Sequence, residues 1–208
     1  MHSAAVGQVV ELRPANESRP VQTRTANDEA RGRKHLMPEE VRQLVKAAKR
    51  GRHGARDALM IQMAFEHGLR ASELVGMKWQ AVNFTGQELA ITRAKGSKSG
   101  THQIQGGTLR ALRRYHRDQG EPRQGFMFSS ERGAPITVDG FRRMFGRLSA
   151  RVLGVQWHPH ALRHACGYHL INAGWDLRIV QQYMGHASIQ NTVVYTALSA
   201  RQFDGITF

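Results

Sequence analysis

The stretch between residues 157 and 195 concentrates side chains that can bind and attack a phosphate group. His160 and Arg163 lie three residues apart on a predicted helix, so their side chains share one face. His186 follows a glycine, and Tyr195 comes nine residues later. A cation, two imidazoles and a phenol, with no paired carboxylate beside them, suit a site that holds a phosphate and attacks it with the phenol oxygen.

Further polar positions lie upstream of this stretch. Arg70 follows an apolar segment that ends at Gly68, so it falls at the joint between two predicted helices, with Glu73 one turn further on. A charge placed there costs free energy unless it meets a partner. Lys95 and Lys98 belong to a loop rich in Gly, Ser and Lys between two predicted strands. This loop fits both an ordinary solvated turn and a hairpin tip that enters a DNA groove.

The same residue types also have plainer interpretations. His160 and His164, four residues apart, could suggest zinc, but no Glu or Cys lies at ligand spacing and Arg163 would repel the metal. We therefore expect no metal site. Tyr195 taken alone would be a half-buried core tyrosine, and Cys166 lies in an apolar stripe where a small core residue is expected.

The composition favours a polyanionic partner. The 208 residues include 30 Lys plus Arg against 16 Asp plus Glu, a net charge of +14, and nucleic acid is the commonest such partner, although a basic but inert surface is the alternative. The single cysteine excludes an internal disulfide and fits a reducing cytoplasm. No apolar run approaches the length of a membrane span, and the N-terminus lacks a signal-type apolar stretch, so we expect no membrane partner.

The elements that must position these residues are mostly helical. Residues 1–35 are polar, mildly basic and predicted to be a disordered tail, possessing few large apolar groups, whereas residues 36–208 are predicted to form one domain. Strands are expected over residues 88–93 and 101–105, which gives an antiparallel hairpin or a three-stranded sheet. Helices are expected over residues 38–49, 55–67, 71–77, 107–119 and 138–152 and over the stretch from residue 160. The expected class is therefore α+β, mainly α-helical.

The predicted helix that begins at Thr137 carries a basic surface. Its apolar positions include Phe141 and Phe145, while Arg142, Arg143 and Arg147 fall on other faces. Arginines in this setting are candidates for contacts with the DNA backbone. The segment of residues 126–128 before this helix is predicted to be short and buried.

Five segments, taken together and in order, resemble the catalytic motifs of the tyrosine recombinases, the phage integrase family. Each motif alone is weakly specific, but their combination is highly specific. The resemblance covers residues 36–208 and is closer still to the small recombinases that invert promoter switches of bacterial fimbrial operons, which lack a separate core-binding domain. The matching segments are Gly68-Leu69-Arg70-Ala71-Ser72-Glu73-Leu74, Ala94-Lys95-Gly96-Ser97-Lys98, His160-Ala161-Leu162-Arg163-His164, Met184-Gly185-His186 and Tyr195.

This resemblance implies a role for each matching residue. Arg70, Arg163, His160 and His186 would hold the phosphate, with His160 also assisting loss of the proton from the nucleophile, Tyr195. The other implied roles are Lys95 as the acid that protonates the leaving 5′-oxygen, Lys98 as the alternative acid, Glu73 as the group that orients Arg70, and Lys98, Arg142, Arg143 and Arg147 as DNA contacts.

The implied function is site-specific recombination of double-stranded DNA through a 3′-phosphotyrosine intermediate. It needs no metal and no nucleotide cofactor, because the covalent link keeps the bond energy. The implied assembly is a homotetramer on DNA that is monomeric in free solution, in the bacterial cytoplasm. Two other functions stay open at this point: a DNA-binding regulator that does not cut, and a type IB topoisomerase-like enzyme. Inversion, with phase variation and transcription regulation, is likewise not separated from integration or excision.

Overall fold

The structure, a computed structural model, describes residues 33–93, 97–131 and 133–196. Predictions for residues 1–32, for Lys95 and for residues 197–208 lie outside these ranges. Among the described helices, none combines the length and apolar character needed to cross a bilayer. The helices are α1 Pro38–Ala48, α2 Gly54–Glu66, α3 Ala71–Val75, α4 Gly106–Asp118, α5 Val138–Leu153, α6 His160–Asn172, α7 Leu177–Met184 and α8 Gln190–Val193. The strands are β1 Val82–Asn83, β2 Glu88–Ile91 and β3 Gly100–Gln103.

The three strands form one antiparallel sheet in the order β1-β2-β3. Leu89 in the central strand lies opposite Val82 on one side and His102 on the other. Leu89 and Ile91 are buried while Ala90 between them is exposed, which is the alternation expected of a strand with one face on the core. The predicted mainly helical α+β class with a small antiparallel sheet is therefore confirmed.

Helix α2 lies at the centre of the domain. Met60, Ile61 and Met63 in it are fully buried, and the helix packs against α1, α4 and α6. A helix surrounded on most sides has an almost continuous apolar sequence rather than an amphipathic one, as the segment does here. Its central position brings the end of α2 next to α6, where the candidate phosphate-binding residues begin.

Two glycines shape the turns that meet behind these residues. Gly68 follows α2 with a φ of 56°, and Gly185 follows α7 with a φ of 65°, both in the left-handed region that favours glycine. A Cβ added at Gly68 would lie 2.6 Å from the Met184 sulfur, and one at Gly185 would lie 2.7 Å from the Lys98 carbonyl oxygen. The predicted helix stop at Gly68 is confirmed, and its small size also allows the two turns to touch.

One expectation differs from the structure in detail. Phe126, predicted to be buried, is 41% exposed: it pairs with Lys78 at the edge of the domain, where the lysine ammonium lies 5.6 Å from the centre of its ring. Met127 and Phe128 are buried as predicted. Arg33 and His35, which lie on the tail side of the predicted boundary at residue 36, both make side-chain contacts with the domain.

Two buried histidines predict sensitivity to acid. The rings of His67 and His102 lie 5.5 Å apart, and neither ring nitrogen of His67 has a hydrogen-bond partner within the described part of the chain. Burial, helped by the charge of Arg93, lowers the pKa of His67 to about 3 and that of His102 to about 4. The unfolded chain, with ordinary histidine pKa values near ~6.5, therefore binds protons below that pH that the folded domain does not.

We expect the free energy of unfolding to fall as the pH drops below about 6.5, by up to about 1.4 kcal/mol per pH unit for each histidine. Urea unfolding followed by circular dichroism at pH 7.5, 6 and 5 measures this. The variant His67→Leu, which cannot titrate, should show a shallower decline. A midpoint that stays constant from pH 7.5 to pH 5 would contradict the burial of neutral imidazoles.

Candidate active site

Arg163 is the most deeply placed candidate cation. It lies on the first turns of α6 and is 1% exposed. Its guanidinium donates to the backbone carbonyl of Gly68 and, over 2.7 Å, to that of Met184. Because these carbonyls belong to the ends of α2 and α7, the two touching turns fix the plane of the guanidinium. Burial, with the nearby charge of Arg70, lowers the pKa of Arg163 to about 10, so it remains charged at neutral pH.

The Arg70 side chain pairs with Glu73, the carboxylate that the resemblance assigns to it. Glu73 accepts a hydrogen bond from the Arg70 side chain over 2.7 Å and another from the Arg70 backbone N–H over 2.9 Å. The second bond satisfies an amide at the start of α3, which is the geometry of a helix N-terminus closed by an acidic residue. The Arg70 side chain is 31% exposed, so its guanidinium is held in direction and still reachable from solvent.

A third arginine, which no sequence motif indicated, lies at this position. Arg93 is buried and donates to Glu73 over 2.9 Å, to the Gly68 carbonyl over 3.1 Å and to the His67 carbonyl over 3.0 Å. The alternation of strand side chains could have indicated its burial, because Leu89 and Ile91 are the inward positions of β2 and residue 93 continues that series. A charged residue on the buried side of a strand should have been assigned a partner.

His186 lies on the turn after α7 and is held by a second residue that was missed. Its Nδ1 lies 2.8 Å from the hydroxyl oxygen of Thr192, which is fully buried in α8. Burial, with the charges of Arg163 and Arg70, lowers the pKa of His186 to about 4. The ring is therefore neutral at pH 7, and the Thr192 contact fixes its orientation. No motif in the sequence pointed to Thr192.

His160 is the first residue of α6 and is exposed. It lies edge-on to His164, with 4.6 Å between the ring centres. Partial burial of the imidazole, followed by the charges of His164 and Arg163, lowers the pKa of His160 to about 4. A neutral imidazole can accept a proton, which is the property a general base needs.

Tyr195 follows α8 and is 2% exposed. Its ring lies next to that of His186, with 6.2 Å between centres, and a Cβ added to Gly167 of α6 would overlap it. The tyrosine therefore rests in a slot that exists because residue 167 is glycine. Burial raises the pKa of Tyr195 to about 12, against the opposing charge of Arg163, so the phenol is protonated at neutral pH.

The two candidate lysines cannot be compared directly, since Lys95 lies outside the described residues. Lys98 is exposed, and its backbone carbonyl lies against Gly185, directly before His186. The backbone at Lys98 thus lies against the turn that carries His186, a candidate phosphate ligand.

The three candidate DNA-contacting arginines of α5 line two different cavities. Arg142 and Arg143 line a cavity of about 410 Å³ together with His158, two residues before His160. Arg147 lines a different cavity, next to Asp57. Helical geometry separates Arg142 from Arg147, which are about 140° apart around the helix axis, whereas Arg143 and Arg147 are only about 40° apart and differ in position along the axis. The structure therefore places Arg142 and Arg143, and not Arg147, beside the start of α6.

No group of three or more His, Cys, Asp or Glu residues within the described ranges is arranged to hold a metal ion. Cys166 is buried, and burial raises the pKa of its thiol to about 12, which leaves it protonated. The described side chains at this site are guanidinium donors, neutral imidazoles and a phenol.

The model of the phage integrase family matches residues 34–202, which is most of the chain and includes every candidate catalytic residue. This chain belongs to the phage integrase family.

Relatives of this integrase-family chain include two bacterial regulators. The type 1 fimbriae regulatory protein FimE of Escherichia coli K12 is 35% identical over 179 residues, which cover 84% of this chain and 90% of FimE. The corresponding FimB is 33% identical over 178 residues, covering 84% of this chain and 89% of FimB. The tyrosine recombinase XerA of Pyrococcus furiosus is 31% identical over 173 residues, covering 81% of this chain and 58% of XerA.

Solved structures share the fold of this integrase-family chain. A crystal structure of the XerA recombinase superposes with a TM-score of 0.74 at 23% identity, over 84% of this chain and 66% of that one. The Tn1549 transposon integrase in complex with transposon right end DNA gives a TM-score of 0.69 at 21% identity, over 81% of this chain and 62% of that one. The chain thus spans about two thirds of these larger proteins and has the fold of their matching part.

The recombinase's stability should depend strongly on Glu73. This carboxylate is 3% exposed and contacts both Arg70 and the buried Arg93. In Glu73→Gln the charge of Arg93 stays buried without its carboxylate, a change that typically costs about 3–5 kcal/mol. We expect a loss of that size in urea unfolding.

The matched control is Glu39→Gln. Glu39 also pairs with an arginine three residues away, Arg42, but both side chains are largely exposed. Exposed pairs contribute little, so the unfolding midpoint of this control should stay at the wild-type value. A Glu73→Gln variant as stable as Glu39→Gln would show that the buried pair is not needed.

Proposed function

We propose that this recombinase cleaves DNA strands at a specific site through a 3′-phosphotyrosine at Tyr195 and rejoins them to a partner duplex. The observation that carries the proposal is the convergence of Arg163, His186 and Tyr195 behind the Gly68 turn. Arg163 donates to the carbonyls of both adjoining turns, and its charge acts on both the imidazole and the phenol. That arrangement supports the binding of an anion next to a nucleophile.

In the proposed reaction Arg70 and Arg163 donate to the non-bridging oxygens of the scissile phosphate, where charge builds during attack. His186 adds a donor to the same phosphate. Neutral His160 accepts the phenol proton as the Tyr195 oxygen attacks phosphorus. A lysine of the β2–β3 loop, Lys95 or Lys98, protonates the departing 5′-oxygen.

The covalent intermediate explains why the proposed reaction needs no external energy source. The new bond joins the tyrosine oxygen to the 3′-phosphate, and the old phosphorus–oxygen bond leaves a 5′-hydroxyl. A 5′-hydroxyl from the partner duplex then attacks the phosphotyrosine and releases Tyr195. One phosphodiester is exchanged for another of similar energy.

The proposed assembly is a homotetramer on double-stranded DNA, because exchange between two duplexes requires four strand cleavages. The free chain would be monomeric, with a basic tail over residues 1–35 and a catalytic domain over residues 36–208, in the bacterial cytoplasm where its substrate lies. The XerH structures hold that recombinase on its own difH substrate, which supports the same class of partner here. Among the possible outcomes we propose inversion of a promoter segment, with phase variation, which follows the resemblance to the small fimbrial recombinases and fits the similarity to two type 1 fimbriae regulatory proteins, FimE and FimB.

The test is to trap and map the covalent adduct. The tagged chain is expressed in its native host, denatured rapidly, and recovered with any DNA attached to it. Sequencing locates the target, and mass spectrometry of the protease-digested adduct locates the modified residue. We expect a nucleotide linked through its 3′-phosphate to the peptide that contains Tyr195. Adducts at another residue, or none on a nicked substrate built from the recovered sequence, would refute the proposal.

The cavity lined by Arg142 and Arg143 is proposed to receive a backbone phosphate beside the scissile one. The double variant Arg142→Gln/Arg143→Gln should bind DNA more weakly. The slope of the logarithm of its DNA association constant against the logarithm of the salt concentration should be smaller by about 2, one for each lost phosphate contact. Fluorescence anisotropy between 50 and 300 mM salt measures the slope. The control Arg114→Gln/Arg117→Gln removes the same charge from the exposed face of α4 and should change the slope less. Equal slopes for the two double variants would contradict the assignment.

A further inference from the structure

We propose that Tyr168 is a positioning residue for the nucleophile, and that His35 supports it in this role. The proposal rests on the assignment of Tyr195 as the nucleophile. It concerns the way in which a short and partly exposed segment presents that residue.

Tyr168 holds this segment at two points. Its hydroxyl donates to the backbone carbonyl of Val194 over 3.1 Å, and its ring lies edge-on to that of Tyr195, with 5.0 Å between centres. The hydrogen bond fixes the backbone immediately before the nucleophile, and the ring contact restricts rotation of the Tyr195 side chain. Both restraints come from α6, the helix that also carries Arg163.

The segment of residues 190–195 needs such an anchor because its own exposed valines contribute little packing. Helix α8 spans four residues, Gln190–Val193, and both Val193 and the following Val194 are exposed. One turn of helix is marginal without tertiary contacts. The buried Thr192 is held through His186, but that contact lies three residues before the nucleophile. Tyr168 therefore restrains both residue 194 and residue 195 from α6, and His164 of the same helix adds an edge-on contact to the Tyr195 ring, with 5.8 Å between centres.

His35 packs directly on Tyr168, with 3.8 Å between ring centres. It is buried, and its Nδ1 has no hydrogen-bond partner within the described residues, so packing of the ring is its contribution. The neighbouring chain is tied down on both sides. Leu36 is fully buried in the core, and Arg33 pairs with Glu40 of α1 over 2.9 Å. We call residues 33–36 the strap. The strap thus keeps Tyr168 against the segment that carries Tyr195.

The first test is the variant Tyr168→Phe, which keeps the ring and removes only the hydroxyl. One net hydrogen bond of about 1 kcal/mol corresponds to a factor of about 5. We expect the single-turnover cleavage rate at saturating DNA to fall by about that factor, with the dissociation constant for DNA within twofold of wild type. His35→Ala should lower the rate in the same direction, and His35→Phe, which restores an aromatic ring, should recover it.

The matched control is Tyr183→Phe. It removes a comparable tyrosine-to-carbonyl hydrogen bond, from the Tyr183 hydroxyl to the Glu66 carbonyl over 2.8 Å. The described contacts of its side chain do not include Tyr195 or Val194. We expect this control to lose as much thermal stability as Tyr168→Phe and to cleave within twofold of wild type. A purely structural role for Tyr168 would make the two variants equal in both measurements.

A second readout does not depend on cleavage. Tyr195 is 2% exposed, so nitration by tetranitromethane without DNA, mapped by mass spectrometry, should be slow in the wild type. In Tyr168→Phe and His35→Ala it should become at least about threefold faster, while Tyr183→Phe should match the wild type.

The outcomes separate the two claims. If the wild type forms its adduct at Tyr195 while Tyr168→Phe matches Tyr183→Phe in cleavage and in nitration, the positioning role is refuted and the recombinase chemistry stands. If Tyr168→Phe and His35→Ala expose Tyr195 to nitration but the wild type forms no adduct, the positioning contact is real and the nucleophile assignment fails.

Discussion

Tyr195→Phe is expected to bind target DNA with wild-type affinity and to form no covalent adduct. The variant keeps the ring that fills the slot at Gly167 and packs beside His186, and loses only the hydroxyl oxygen that attacks phosphorus. Because the guanidinium donors are unchanged, binding to the phosphate should be unaffected. A nicked substrate run on a denaturing gel measures the adduct, and a mobility shift measures binding.

The control for this variant is Tyr115→Phe, a core tyrosine that packs on Trp79 and Phe128 away from the site. It should form the adduct at the wild-type rate. A labelled protein–DNA band that persists in Tyr195→Phe would show that the Tyr195 phenol is not the nucleophile. Arg70 and Arg163 would then be supported only as DNA-binding residues.

Arg163→Lys should lower the single-turnover cleavage rate by at least about 10²–10³. Lysine keeps the positive charge but offers a single ammonium, which cannot reach the Gly68 carbonyl, the Met184 carbonyl and a phosphate oxygen in the planar arrangement that a guanidinium provides. The loss should appear mainly in the rate at saturating DNA, since the donors matter most where charge develops. Rapid quenching of the reaction on the nicked substrate measures it.

Arg178→Lys is the matched control, on the exposed face of α7. It should cleave as fast as the wild type. Since Arg163 also ties two turns together, its variant must be compared at a temperature where urea unfolding shows a fully folded domain. A folded Arg163→Lys that cleaves within tenfold of wild type would make this arginine a structural tie and not a phosphate ligand.

Local sequence signals predicted most of the fold. The apolar run of α2, the glycine that ends it, the Thr137 cap of α5 and the alternation in β2 each depend on neighbours in sequence, and all four appear in the structure. The residues that carry the candidate chemistry were also recognisable, since their types are unusual for a core and recur in a fixed order.

The supporting residues were not predictable in the same way, because their roles depend on distant parts of the chain. Arg93 is satisfied by carbonyls near residue 67 and by Glu73, contacts that no local pattern reveals. Gly167 and Tyr168 looked like ordinary positions of an apolar helix until the segment of Tyr195 was placed against them. Arg147 was grouped with Arg142 by composition, whereas the packing of α5 separates them.

The storage of Tyr195 in the slot beside Gly167 has a consequence for the genome that this protein would serve. A phenol that is 2% exposed cannot attack the first duplex that collides with the protein. The chain around the slot must first open a path to the hydroxyl while Tyr168 keeps the ring in place, and the free energy for that step has to come from a well-fitted complex. Chance encounters along a chromosome would then end in dissociation with both strands intact, and breakage would be confined to assembled target sites.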